Sequence, residues 1–195
     1  MSTSRLAMIP NLICVMRILL TFPIVYFLIN EQYLTALVLI MIAGFSDGLD
    51  GFLARRYGWT SRIGGLLDPL ADKLLFVCVF GSLTWIGLVP LWLFVVVICR
   101  DIIIVSGAVA YEVLIGPVEP DPSNVGKLNT VIALLYLFFV MLNQISGWPP
   151  AVTILVCGAG VLVVSLVSGL DYVLTWSRHA IHAQQRQTKL NKHST

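Results

Sequence analysis

Four aspartates stand where carboxylates are costly. Asp47 and Asp50 lie toward the end of one apolar segment, and Asp68 and Asp72 lie at the start of the next. An ionised carboxylate in such surroundings needs a partner or a wet cavity. The spacing is i, i+3 in the first pair and i, i+4 in the second, so on helices each pair projects from one face. Two adjacent antiparallel helices would then present four carboxylates to one another. At about 5 Å and an effective dielectric of about 20, each pair of ionised carboxylates repels by roughly 3 kcal/mol. Either some of the four are protonated or cations sit among them. The set contains no His or Cys, and all-oxygen ligation favours Mg²⁺ or Mn²⁺ over zinc. Two divalent cations would nearly neutralise the cluster and leave coordination positions for phosphate oxygens.

The residues around the aspartates suit a bulky anionic ligand. Arg55 follows Gly51 by one helical turn and is placed to pair with a phosphate. Gly51 and Gly64 leave room where a ligand would meet backbone, and Ala54 keeps that wall low. The same small residues also serve close helix packing in membranes, which is the alternative use of each taken singly.

The elements that must hold these residues are apolar helices. Of the 195 residues 58% are hydrophobic and 11% charged, against about 25% charged in an ordinary soluble domain. Too little polar surface is available for water, so lipid must solvate much of the exterior. Six segments approach the roughly 20 residues a helix needs to cross a bilayer: Leu12 to Ile29, Leu34 to Leu53, Gly65 to Ile86, Leu91 to Leu114, Leu128 to Ile145 and Ala151 to Trp176. Turn chemistry separates them at Asn30–Gln32, Gly58–Arg62, Gly87–Pro90, Gly116–Gly126 and Ser146–Pro150. The expected fold is an all-α integral membrane protein of six transmembrane helices, with a polar cavity facing the cytoplasm. Residues 1–177 would form the membrane domain and residues 178–195 a polar cytoplasmic tail, as a solvated end or a surface-lying helix.

Orientation follows from the basic residues. Arg5, the Arg55, Arg56 and Arg62 cluster, Lys127, and the tail residues Arg178, Arg186, Lys189 and Lys192 all fall on one side of a six-span plan, whereas the other three connections hold no Lys or Arg. The positive-inside rule puts that side, with both termini and the aspartates, in the cytoplasm. Trp59, Trp85, Trp92, Trp148 and Trp176 fall near span ends, as interfacial anchors do. The net charge of +2, without a basic run interleaved with aromatics, excludes nucleic acid as a partner. The four cysteines lie singly in apolar stretches and imply neither a disulfide framework nor a zinc site.

Residues 47 to 72 resemble a known signature in full. The run Asp47-Gly48-Leu49-Asp50-Gly51-Phe52-Leu53-Ala54-Arg55, then Gly64, Asp68 and Asp72 at their intervals, is similar to the motif of the CDP-alcohol phosphotransferases. Segments beyond it look alike as well: Ile9-Pro10-Asn11-Leu12 with Arg17, Leu67 to Lys73, Arg100-Asp101 and Gly126-Lys127-Leu128-Asn129-Thr130. The resemblance implies two divalent cations, Mg²⁺ or Mn²⁺, held by Asp47, Asp50, Asp68 and Asp72, with Asp72 doubling as general base. It implies that the cytidine diphosphate of CDP-diacylglycerol sits over Gly51, Ala54 and Gly64 with Arg55 on its phosphates, and that an acceptor hydroxyl displaces CMP. It also implies a homodimer in a bacterial inner, cytoplasmic membrane.

Arg17, Arg100 and Lys127 are candidates for the acceptor, because three cations suit a phosphate-bearing molecule better than a neutral amino alcohol. The pattern resembles the branch of phosphatidylglycerophosphate synthases and CMP-forming cardiolipin synthases. Asp101 after Arg100, and Pro122-Ser123 leading into Gly126–Thr130, lean toward phosphatidylglycerol as acceptor over glycerol-3-phosphate. An ion or proton transporter is a rival of another class. It would distribute ionisable residues through the membrane depth, whereas here, Arg100 and Asp101 apart, they gather at one side.

Overall fold

The computed structural model describes the backbone of residues 8–57, 64–114 and 124–193, and the side chains of residues 14–46, 70–107 and 126–172. All regular structure among them is helical: α1 Met8–Ile29, α2 Tyr33–Tyr57, α3 Gly64–Trp85, α4 Leu91–Leu114, α5 Asn124–Ser146 and α6 Ala151–His193. The six apolar segments therefore become six helices, and the breaks at residues 30–32, 86–90 and 147–150 are turns. The connections at residues 58–63 and 115–123 lie outside the described residues.

The turns follow from backbone geometry. After α1, Glu31 adopts φ 59°, the Gln32 amide returns to the Phe27 carbonyl at 2.8 Å, and the Asn30 side chain donates to the Tyr26 carbonyl at 2.7 Å. After α3, Gly87 takes φ 82° and the Leu88 amide reaches the Leu83 carbonyl at 3.0 Å. Without a Cβ, Gly87 enters the left-handed region at no steric cost and lets late carbonyls of the helix find donors. Gly147 does the same at φ 72° after α5, where the Asn143 side chain also donates to the Pro149 carbonyl at 2.8 Å. Pro90 and Pro150 then stand immediately before α4 and α6, where a missing amide costs nothing.

Several helix ends differ from the hydropathy boundaries. α1 begins at Met8 rather than Leu12, α2 continues past Leu53 to Tyr57, α5 begins at Asn124 so that Gly126 and Lys127 are helical, and α6 runs through Trp176 to His193. Trp176 is thus inside a helix rather than at its end. Hydropathy marks where hydrocarbon stops, but backbone hydrogen bonding continues into polar sequence wherever nothing interrupts it.

The chain forms two compact units, Met1–Leu91 with Phe138–Pro150, and Trp92–Leu137 with Ala151–Thr195. In the first, α1 packs against both α2 and α3. Ile24 and Leu28 of α1, Ala36 and Ala43 of α2, and Ala71, Phe80 and Leu83 of α3 are buried. The alanines let backbones approach closely. In the second unit the buried set includes Val97 of α4, Ala133 and Tyr136 of α5, and Val161 of α6. Tyr136 lies so close to Gly158 that a Cβ there would stand 3.2 Å from the ring.

Polarity is distributed inside out. Arg17, Arg100, Asn129, Ser165 and Ser168 are buried, while large apolar side chains such as Phe22, Phe45 and Leu155 are more than 70% exposed. Trp85, Trp92 and Trp148, at helix ends or in the turn before α6, are also exposed. Among the described residues Gly126–Ser146 and Ala151–Tyr172 are long and apolar enough to cross a membrane, and Cys14–Ile29 and Tyr33–Ser46 are shorter apolar stretches. The distribution is consistent with a membrane protein, because water gives no reason to expose such side chains while burying guanidinium groups.

Candidate functional site

Two helices carry the acidic signature. The C-terminal part of α2 holds Asp47, Asp50, Gly51, Ala54 and Arg55, and the N-terminal part of α3 holds Gly64, Asp68 and Asp72. Helical backbone at each of these positions puts 47 and 50, and likewise 68 and 72, one turn apart on a common face. The side chains of Asp47, Asp50, Ala54, Arg55 and Asp68, and the surroundings of Gly51 and Gly64, lie outside the described residues.

Asp72 is the aspartate whose side chain is described, and it meets a buried arginine. Nη1 of Arg17, from α1, donates to Oδ1 of Asp72. The Arg17 side chain is 2% exposed and that of Asp72 is 52% exposed, so the pair has one end sealed among helices and the other open. Arg17 is further fixed through its backbone, whose carbonyl accepts the Thr21 hydroxyl at 3.0 Å. A guanidinium sealed in apolar surroundings is strongly destabilising unless an anion accompanies it, and Asp72 supplies that anion.

Arg17, expected at the acceptor, donates to Asp72. The remaining acceptor candidates belong to the second compact unit. Arg100 on α4 donates from Nη1 to Asp101 Oδ1 at 2.7 Å, and from Nε and Nη2 to the Ser168 hydroxyl at 3.2 and 2.5 Å. Lys127 lies in the first turn of α5 and is exposed. A second buried polar contact runs between α5 and α6, where Ser165 donates to Asn129 Oδ1 at 2.7 Å. The serines were missed from sequence. A single Ser in an apolar helix bonds its own turn as readily as a distant side chain, so nothing local marks it.

The acidic set fits divalent cations of the hard class. All four candidate ligands are carboxylates, and the Asp72 side chain, the one of the four that is described, is 52% exposed. No group of three or more His, Cys, Asp and Glu side chains occurs among the described residues; three of the four aspartate side chains fall outside them.

The Arg17–Asp72 pair has a direct consequence. Replacing Arg17 by Gln removes the buried charge that orients Asp72, and the carboxylate, being half open, turns toward solvent. We expect Arg17→Gln to lower turnover by about tenfold or more, the scale of losing a hydrogen bond to a charged group. The rate at saturating substrate measures it.

The chain is similar to known proteins of one family. A family model described as CDP-alcohol phosphatidyltransferase matches residues 7–184. A CDP-diacylglycerol–glycerol-3-phosphate 3-phosphatidyltransferase of Aquifex aeolicus is 35% identical over 170 residues, which is 85% of this chain and 94% of that protein. A CMP-forming cardiolipin synthase of Streptomyces coelicolor is 34% identical over 156 residues, covering 75% of this chain and 70% of that one. The human CMP-forming cardiolipin synthase is 34% identical over 143 residues, 65% of this chain but only 48% of the human protein.

Proposed function

The chain belongs to the CDP-alcohol phosphatidyltransferase family, and from that premise we propose that it moves a phosphatidyl group from CDP-diacylglycerol to phosphatidylglycerol, releasing CMP and forming cardiolipin. Family membership makes it an enzyme of phospholipid biosynthesis; the acceptor and the working residues are the proposal. What supports it above all is the complete eight-position signature, carried on two helices that both pack on α1, with Arg17 of α1 reaching Asp72.

Each residue then has a task. Gly51, Ala54 and Gly64 leave space for the cytidine, and Arg55 holds the diphosphate. Asp47, Asp50, Asp68 and Asp72 would hold two divalent cations, which when bound supply neutralisation of the attacking and leaving oxygens in an in-line displacement. Asp72, oriented by Arg17, takes the proton of the acceptor hydroxyl as that oxygen bonds to the phosphorus nearer the diacylglycerol. The bond from that phosphorus to the bridging oxygen breaks, and CMP leaves. Arg17, Arg100 and Lys127 bind the acceptor's anionic group. Six bilayer-spanning helices, with termini and site on the cytoplasmic side of a bacterial inner membrane, let the acyl chains stay in hydrocarbon while phosphates react at its edge. The working form is a homodimer.

Glycerol-3-phosphate is the second reading. The Aquifex protein, 94% covered by the match, carries a name with that acceptor, whereas the cardiolipin reading leans on Asp101 and the Pro122–Thr130 segment. Purified protein in detergent, given CDP-diacylglycerol and Mg²⁺ or Mn²⁺, separates them. We expect CMP release with phosphatidylglycerol and a cardiolipin product; release only with glycerol-3-phosphate, yielding phosphatidylglycerophosphate, reassigns the acceptor. No release with either acceptor contradicts both readings.

A further inference from the structure

Arg100 is nine-tenths buried, yet its hydrogen bonds are not all spoken for. A guanidinium has five N–H donors in a rigid plane. Three of them go to two acceptors: Nε and Nη2 to the single hydroxyl oxygen of Ser168, and Nη1 to Asp101. One N–H remains on each terminal nitrogen. In apolar surroundings an unmatched charged donor is costly, so these two point to an acceptor that arrives from outside the chain.

We propose that Ser168 is a positioning residue for the acceptor substrate: by taking the Nε and Nη2 edge of Arg100, it fixes the guanidinium plane so that the terminal nitrogens receive the acceptor's phosphate. Two parallel N–H donors match two non-bridging phosphate oxygens, the bidentate arrangement in which arginine is strongest. Ser168 is 1% exposed, so no water replaces its oxygen at that edge. The Arg100 stem lies against Gly169, where a Cβ would stand at an ordinary contact distance of 3.7 Å from Arg100 Cγ. The Ser165–Asn129 contact, one turn earlier on α6, ties the same helix to α5 and holds Ser168 in register. The class of ligand is a phosphate monoester or diester on a glycerol, which deepens the proposed reaction and rests on it.

The test is a split between the Michaelis constants of the two substrates in the full-length enzyme. Ser168→Ala removes the oxygen and leaves Arg100 its pairing with Asp101. It is expected to raise KM for the anionic acceptor about tenfold, the scale of one hydrogen bond to a charged group, with KM for CDP-diacylglycerol unchanged. Ser168→Thr, which restores the hydroxyl, should recover most of the loss. Ser168→Cys, close to serine in volume and a poor acceptor, should behave like the alanine variant and guards against a packing artefact. A thermal-stability loss with both KM values unchanged, or an equal rise in both, overturns the inference alone. A wild-type enzyme that releases no CMP with either acceptor overturns the underlying reaction and this inference with it.

Discussion

Asp72→Asn is expected to reduce CMP release by about 10³-fold, within the range that a positioned general base contributes, and by more if a metal ligand is lost as well. Asparagine has the size of aspartate and keeps a side-chain oxygen where Arg17 Nη1 donates, so the α1–α3 contact survives. What disappears is the ability to take a proton and the negative charge available to a cation. Because asparagine keeps the acceptor oxygen but not the charge beside buried Arg17, thermal unfolding of the variant in detergent should come at a lower temperature than in the parent, with the protein still folded at the assay temperature while activity collapses. Full activity in Asp72→Asn would remove Asp72 from the chemistry, and a collapse of stability alongside activity would reduce it to a structural counter-ion for Arg17.

Removing divalent cations should be equally severe. With a chelator in excess, CMP release should fall to background, and Mg²⁺ or Mn²⁺ should restore it. A second signal is independent of turnover. Four carboxylates on neighbouring helices repel once the cations go, by roughly 3 kcal/mol per close ionised pair. Cation binding at about 100 times its dissociation constant contributes near 2.7 kcal/mol to the folded state. The melting temperature should thus drop on chelation in the parent and respond far less in Asp47→Asn or Asp68→Asn. Activity that persists in chelator, with a melting curve indifferent to metal in all three proteins, would show that the acids serve something other than cations.

The helices and the acidic motif were readable in the sequence because both are local. Gly87, Gly147, Pro90 and Pro150 punctuate apolar runs, and the structure puts a turn at each, with Gly87 and Gly147 at the positive φ that glycine favours. The aspartate spacings are legible for the same reason, since helical period alone puts i, i+3 and i, i+4 on one face. Glu31 carries no such mark: a positive φ at glutamate follows from the chain reversal around it, not from its own preference. The ends at Tyr57, Asn124 and His193 escaped because polar residues there continue a helix that hydropathy had already closed. Partners were the least legible feature. Arg17 and Asp72 are 55 residues apart and Arg100 and Ser168 are 68 apart, and no local pattern connects residues so distant. Only the packing of α1 on α3, and the meeting of Arg100 with Ser168, names the partners of these buried arginines.

Crystals grown with CDP-diacylglycerol and Mn²⁺, measured at the manganese absorption edge, would locate the ions without reference to activity. Anomalous peaks within coordination distance of Asp47, Asp50, Asp68 and Asp72, with the diphosphate oxygens completing their shells, are the expected result. Manganese bound elsewhere, in a preparation that turns over, with those four carboxylates directed to separate surfaces, would contradict it.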